Sequence, residues 1–249
     1  MKNSKLATYT KLSPNNSGKR KNDITRITPH CVVGQMSVAA LGAWFAKSTT
    51  QASSNYGIGC DGKIALYVDE DNRSWCSSNA DNDNRAITIE CASDTASPYR
   101  MNNCVYNSLV ELCTDICRRY GKNKLIWIPD KTRALAYKPK SNEMLLTVHR
   151  WFADKSCPGN WLYNRLDGLA ETVTKKLNPV YFVQIGSFKK KSNAERLVKT
   201  LAQRDITAMV KHIGDYYVVR TKSFKKKKAA EDMLKVLKAN GCTGIIIEG

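Results

Sequence analysis

One stretch, Thr147 to Trp161 (TVHRWFADKSCPGNW), concentrates the residue types that hold a metal ion and act on a substrate. His149 is one of only three histidines in the chain. Cys157 stands eight residues further on, before a Pro-Gly turn, and Lys155 lies two residues before the cysteine. A neutral imidazole and a thiolate are borderline-soft ligands that suit Zn²⁺. Their spacing is too long for one helical face and fits a loop that leaves a core element and folds back over an ion. A third ligand must come from elsewhere. His30, in TRITPHCVVG, is the candidate, because His212 belongs to a different part of the chain. Three protein ligands leave a fourth tetrahedral position open, which is the catalytic arrangement. Spacing alone leaves a second reading, since H-x7-C is not a specific metal signature. In that reading His149 is a satisfied core histidine and Cys157 a small buried residue.

The elements that must position these residues follow from apolar periodicity. Residues 25–33 read as a strand carrying His30, and Pro29 within it predicts an edge position or a bulge. Ser37 caps a short helix with Val38, Leu41, Trp44 and Phe45 at helical spacing. Asp61-Gly62 marks a hairpin turn into the strand 63–68. Residues 85–93 form another strand, with Ile87, Ile89 and Cys91 on one side and Thr88 and Glu90 on the other. A carboxylate in such a place needs a partner or a function. Residues 103–120 are an amphipathic helix built on Val105, Leu109, Leu112 and Ile116, with Gly121 as its stop. Residues 125–128 are a short strand, a long loop leads to His149, and 160–177 read as one helix. Residues 1–24 are polar and predict an irregular arm wrapped around the first domain.

The composition narrows the partners. A net charge of +18 over 249 residues points to a polyanionic target: nucleic acid, an anionic membrane or an acidic bacterial wall. Residues 179–249 carry 15 basic and 6 acidic residues, so half of that charge sits on well under half of the chain. No apolar run is long enough to span a membrane, which predicts no membrane insertion. The basic N-terminus has no apolar core of the kind a signal peptide needs. The expectation is a protein made in the cytoplasm. Nine cysteines at irregular spacing argue against a disulfide framework. Cys113 and Cys117 read as core packing.

A natural boundary falls at Asn178-Pro179, dividing a domain at 1–178 from one at 179–249. The second shows an internal repeat at an offset of 36. YFVQIGSFKKKSNAERLVKTL (181–201) aligns without a gap with YVVRTKSFKKKKAAEDMLKVL (217–237). Each copy is a strand, a helix and a further strand, and βαββαβ is the ferredoxin-like order: a four-stranded antiparallel sheet with two helices on one face.

Four motifs in order, ITPHCVVG, SSNYGIGCDG, AITIECAS and TVHRWFADKSCPG, resemble the zinc-dependent N-acetylmuramoyl-L-alanine amidases of the type-2 amidase fold, which include phage endolysins and peptidoglycan-recognition proteins. The resemblance covers roughly residues 8–177. It implies an α/β catalytic domain with a central mixed β-sheet flanked by helices. It implies Zn²⁺ on His30, His149 and Cys157, with Glu90, Lys155 and Tyr56 at catalytic positions. Glu90 would move protons as general base and acid, Lys155 would stabilise the oxyanion, and Tyr56 would orient water or carbonyl. The implied reaction is hydrolysis, by a zinc-activated water, of the amide between N-acetylmuramic acid and L-alanine. Pro29 departs from the family, which has an aliphatic residue there. Trp44, Trp75 and Trp151 are candidates for stacking on sugar or peptide. Residues 180–249, on the Y-x-V-Q-I-G-S-F start, resemble SPOR domains, α+β ferredoxin-like modules that bind glycan strands stripped of stem peptides. Together the two imply a bacteriolytic endolysin whose partner is bacterial peptidoglycan, through both stem peptide and glycan strand.

Other classes make different demands. A non-catalytic peptidoglycan binder would lack the ligand cysteine, and Cys157 is present. A host autolysin would share the activity. An RNA binder of the ferredoxin-like kind needs an RNP1 octamer. Phe182 and Tyr216 are aromatic, but no such octamer occurs, so no nucleic-acid partner is expected.

Overall fold

The computed structural model describes residues 3–249. The chain divides into two compact units, Met1–Leu177 and Asn178–Gly249. All nine cysteines are free.

The first unit runs β1 (Ala7–Thr10), β2 (Asn16–Lys19), β3 (Arg26–Cys31), α1 (Val38–Phe45), β4 (Tyr56–Ile58), β5 (Ile64–Leu66), β6 (Asn72–Ser74), α2 (Ala80–Arg85), β7 (Ala86–Cys91), α3 (Asn103–Arg119), β8 (Lys124–Ile126), α4 (Lys131–Ala136), β9 (Glu143–Leu146), α5 (Gly159–Tyr163) and α6 (Leu166–Leu177). Seven strands form one mixed sheet in the order β1-β5-β4-β7-β3-β9-β8. Neighbours run parallel except β4 and β5, which form the hairpin expected at Asp61-Gly62. β2 and β6 make a separate two-stranded sheet.

Alternation along β3 and β7 gives the sheet two unlike faces. Ile27, Ile87, Ile89 and Cys91 join Val105, Leu109, Leu112 and Ile116 of α3 and Leu166, Leu169 and Val173 of α6 in one apolar core. The other face carries Thr28, His30, Thr88 and Glu90. Parallel register pairs Thr28 with Thr88 and His30 with Glu90. The strand pairing itself therefore sets an imidazole beside a carboxylate.

Several expectations are revised. Pro29 lies in an interior strand, not at an edge or a bulge. Its missing N–H costs little, because the β9 ladder stops at Ile27, whose carbonyl accepts from Thr147 N–H at 3.1 Å. The N-terminal arm is not irregular throughout. It supplies β1 to the large sheet and β2 to the small one, while Met1 and Lys2 lie outside the described residues. The loop before His149 contains α4 and β9. The helix expected over 160–177 is broken into α5 and α6. The Arg165 guanidinium takes the Trp161 carbonyl at 2.9 Å, and the Arg165 N–H turns to Leu162 O at 2.8 Å, which interrupts the helical ladder.

The second unit is β10 (Tyr181–Phe188), α7 (Lys191–Ala202), β11 (Met209–Ile213), β12 (Tyr216–Arg220), α8 (Lys227–Ala239) and β13 (Ile245–Glu248), with an antiparallel sheet in the order β11-β12-β10-β13. This is the ferredoxin-like arrangement. Its core is the repeat made physical. Val183 and Val219, Ala194 and Ala230, and Leu201 and Leu237 are all fully buried, each pair separated by the 36-residue offset. Both helices start on lysines, with no side-chain cap at Lys190 or Lys226.

Candidate metal centre and catalytic cluster

Three parallel strands deliver the site at their carboxyl ends, the usual place for a crevice in such sheets. β3 brings His30, β7 brings Glu90, and the chain leaving β9 brings His149 at the start of a 3₁₀ turn, His149–Trp151. Cys157 returns on the loop that follows. Arg150 ties that loop down: its backbone N–H donates to Cys157 O at 3.1 Å, and its guanidinium donates to Ser156 O at 2.5 Å and Asn160 Oδ1 at 3.1 Å. Gly159 closes the turn at φ +79°, and a Cβ there would sit 2.8 Å from the Pro98 carbonyl oxygen, so glycine is required on both counts.

The side chains converge. His30 Nδ1 is 3.3 Å from Cys157 Sγ and 3.9 Å from Glu90 Oε1. The two imidazole centroids are 5.1 Å apart. One ligand atom from each of His30, His149 and Cys157 lies within 4.8 Å of the others. His149 Nε2 meets Ser78 Oγ at 3.2 Å, which orients the ring and leaves Nδ1 for a ligand. Lys155, between the two loop residues, is exposed.

Burial dominates the electrostatics. It lowers the His30 pKa well below its ordinary value, and the neighbouring His149 lowers it further. Burial and then the Lys155 charge lower that of His149. Both imidazoles are therefore neutral, the form that binds a metal. Burial pushes the Cys157 thiol up, so in this setting a cation is what makes it a thiolate. Glu90 is raised to about 7, again by burial. His30 Nε2 and Glu90 Oε2 are buried without a hydrogen-bond partner. A donor set of two neutral imidazoles and a thiol, with ligand atoms within 4.8 Å of one another, fits a zinc ion.

Tyr56 is not part of this cluster. In the β4–β7 register Gly57, not Tyr56, pairs with Glu90, so the tyrosine points to the opposite face. Its buried hydroxyl donates to Glu70 Oε1 at 2.6 Å and accepts from Ser4 N at 2.8 Å. Burial and the Glu70 carboxylate raise its pKa and keep it protonated. Glu70 also accepts two bonds from Arg119, at 2.7 and 2.6 Å, and one from Tyr120 at 2.9 Å. This is a structural network under α3, and the catalytic role expected of Tyr56 is withdrawn.

Beside His149 a cleft of about 530 Å³ opens, lined by Gln51, Arg73, Trp75, Cys76 and Ser78 among others. Of the three stacking candidates Trp75 lines this cleft, Trp44 stands exposed on α1, and Trp151 is buried with its ring stacked on Trp127 at 5.2 Å. Cys76, Ser78, Asp83 and Arg150 were missed in the sequence. Asp83 accepts from the Cys76 and Ser77 backbone amides, at 3.1 Å each, and from Ser77 Oγ at 2.6 Å, and so fixes the cleft wall. The only sequence signal for it was the polar turn-rich run SSNADNDNR.

With this geometry in place, the chain belongs to the N-acetylmuramoyl-L-alanine amidase family, which it matches over residues 20–160. Residues 178–248 are a SPOR domain. A search of the curated proteins finds no match. Among solved structures, the Staphylococcus aureus hydrolase AmiA, determined in complex with its ligand, has 13% identity and a TM-score of 0.50 over 68% of this chain and 82% of that one. A mutant endolysin from Bacillus subtilis has 14% identity and a TM-score of 0.47, covering 66% of this chain and 97% of its own. The peptidoglycan-binding domain of the B. subtilis cell wall lytic enzyme CwlC is 30% identical over 28% of this chain and 90% of its own, with a TM-score of 0.27. Among the described residues no helix is long and apolar enough to cross a membrane.

Proposed function

We propose that the first unit is a zinc-dependent amidase that cuts the bond between N-acetylmuramic acid and L-alanine, and that the whole chain is a bacteriolytic enzyme of the endolysin type. The convergence of His30, His149 and Cys157 beside Glu90 supports this reading most directly. His30, His149 and Cys157 would hold a zinc ion, which would supply Lewis acidity at the site. Glu90, whose Oε1 lies 3.9 Å from His30 Nδ1, is placed to accept a proton at its carboxylate and pass one to the leaving amine. Lys155 supplies a positive charge where negative charge develops on the carbonyl oxygen. Ser78 keeps the His149 ring in register. Trp75 and Arg73, in the cleft wall, meet the substrate outside the cluster.

The SPOR domain carries the wall-binding role. It holds a basic surface and no cluster of catalytic type, and an amidase strips the glycan strands that such a module would hold. The test is mass spectrometry of purified peptidoglycan digested by the protein. Free stem peptides with an L-alanine amino terminus are expected, and are expected to form far more slowly with Glu90→Gln. Cleavage at any other bond overturns the assignment.

A further inference from the structure

The cluster contains a second set of ligand atoms. Cys76, in the segment between β6 and α2, places its Sγ 3.8 Å from Glu90 Oε1. Glu90 Oε1 is in turn 3.9 Å from His30 Nδ1. One ligand atom each from His30, Cys76 and Glu90 lies within 4.8 Å of the others, inside the same limit as the first set. His30 belongs to both. Its side chain is fully buried with Nδ1 facing Glu90, and Glu90 Oε2 is buried without a hydrogen-bond partner.

We propose that His30, Cys76 and Glu90 form a second, non-catalytic register for a divalent thiophilic ion such as Zn²⁺ or Cd²⁺, mutually exclusive with the first. The inference rests on the metal assignment made above for His30. Sharing that histidine, the two registers cannot fill together, so the chain binds one ion and distributes it. The second register has its own attraction. Loaded with metal, His, Cys and Glu carry two negative charges and neutralise a divalent cation in full, whereas two histidines and a cysteine carry one. Buried charge is tolerated when it is paired or coordinates a metal. An imidazole, a thiolate and a carboxylate are all ordinary ligands for such an ion. Occupying this register consumes Glu90 as a ligand and removes the proton carrier, so the ion there is stored and inactive. The Asp83 bonds to the Cys76 and Ser77 amides hold the thiol in place for it.

Cadmium bound to a thiolate absorbs in the ultraviolet, so the two registers are separable by variants of the full-length protein. Wild type, Cys157→Ser, Cys76→Ser and the double variant are titrated with Cd²⁺, and bound metal is counted. Each single variant is expected to bind one ion with a one-thiolate band, and the double variant to lose both. Should Cys157→Ser fold poorly, His149→Ala, at a half-buried position, disables the first register instead. Adding Cys76→Ser to that background is expected to weaken Cd²⁺ binding at least tenfold. Wild-type binding with no thiolate band in Cys157→Ser, or no effect of Cys76→Ser in the His149→Ala background, overturns the second register alone. Failure of the wild type to bind the ion overturns the catalytic metal assignment and the second register together.

Discussion

Residues 3–177 bury ionisable groups, His30, Glu70 and Asp83 among them, while between 178 and 249 every lysine is exposed to water. The two units hold equal shares of the net charge and use it in opposite ways. The first takes charge out of water because desolvation is what shifts a carboxylate toward neutrality and keeps imidazoles unprotonated. It offsets that cost with a dense polar layer. Thr28 Oγ1 meets Thr147 Oγ1 at 2.7 Å, Asn82 joins both at 3.1 and 3.0 Å, and Ser74 Oγ meets Thr88 Oγ1 at 2.7 Å. The second unit keeps charge in water and builds its core from small repeated aliphatics. Desolvated charge does chemistry at short range, whereas solvated charge attracts a large anionic partner at longer range.

The largest expected effect is at Glu90. Glu90→Gln keeps the shape and one acceptor oxygen but cannot take a proton, so turnover is expected to fall about 10²–10⁴-fold. Bound zinc, measured in the same sample, should remain near one equivalent. Lys155→Ala should lower kcat more than it raises KM, as expected for a group acting in the transition state. If Glu90→Gln retains wild-type turnover, buried charge in this unit serves architecture rather than proton transfer.

Glu70 tests the structural side. Glu70→Ala leaves Arg119 and the hydroxyls of Tyr56 and Tyr120 without their shared acceptor. Breaking one partner of a buried pair costs about 3–5 kcal/mol, read from urea unfolding of the full chain. Removal of that network should leave the metal content of the folded protein unchanged, because Tyr56 faces away from the cluster. A loss of metal would mean that the two faces of the sheet are coupled.

What the sequence made legible divides along the same line. The repeat was readable, as was the set of His30, His149 and Cys157 that the fold brings together, because each is a pattern in residue type at fixed spacing or in fixed order. The alternation Ile87-Thr88-Ile89-Glu90 even gave the face on which the carboxylate lies. Tyr56 misled because a motif match fixes its place in the chain but not the face of a three-residue strand, and a shift of one residue reverses that face. Cys76 and Ser78 were invisible for another reason. They sit in an irregular polar segment whose shape is set by Asp83, a contact no periodicity announces. β9 escaped because its four residues, flanked by turns, carry no alternation to distinguish them.

The repeat invites a quantitative test. Leu201 and Leu237 occupy equivalent, fully buried positions. Leu201→Ala and Leu237→Ala should each cost about 2–5 kcal/mol, and the two values should agree if the second unit is symmetric in energy as well as in sequence. Unequal costs would show that one copy is the better packed.

The smallest effect on the chemistry, and the one that separates the two units most cleanly, is removal of residues 179–249. Each unit has its own apolar core, so the remaining amidase should fold and cut soluble muropeptides at the full-length rate. Against intact walls it should be slower, by up to roughly a hundredfold at low enzyme concentration, because the lost tether no longer raises the local concentration. The separate module should bind walls, and bind better once stem peptides are stripped. Its salt response then distinguishes two origins. The lysines at 189–191 and 225–228 are solvent-exposed and are screened within about 8 Å at physiological ionic strength. The open sheet presents Met209, Ile213, Tyr216 and Ile245 as exposed apolar surface, and Arg220 stacks 4.0 Å over the Phe182 ring. Binding carried by the lysines should fall steeply as salt rises. Binding carried by the sheet should persist or strengthen, since apolar contact with sugar rings is not screened.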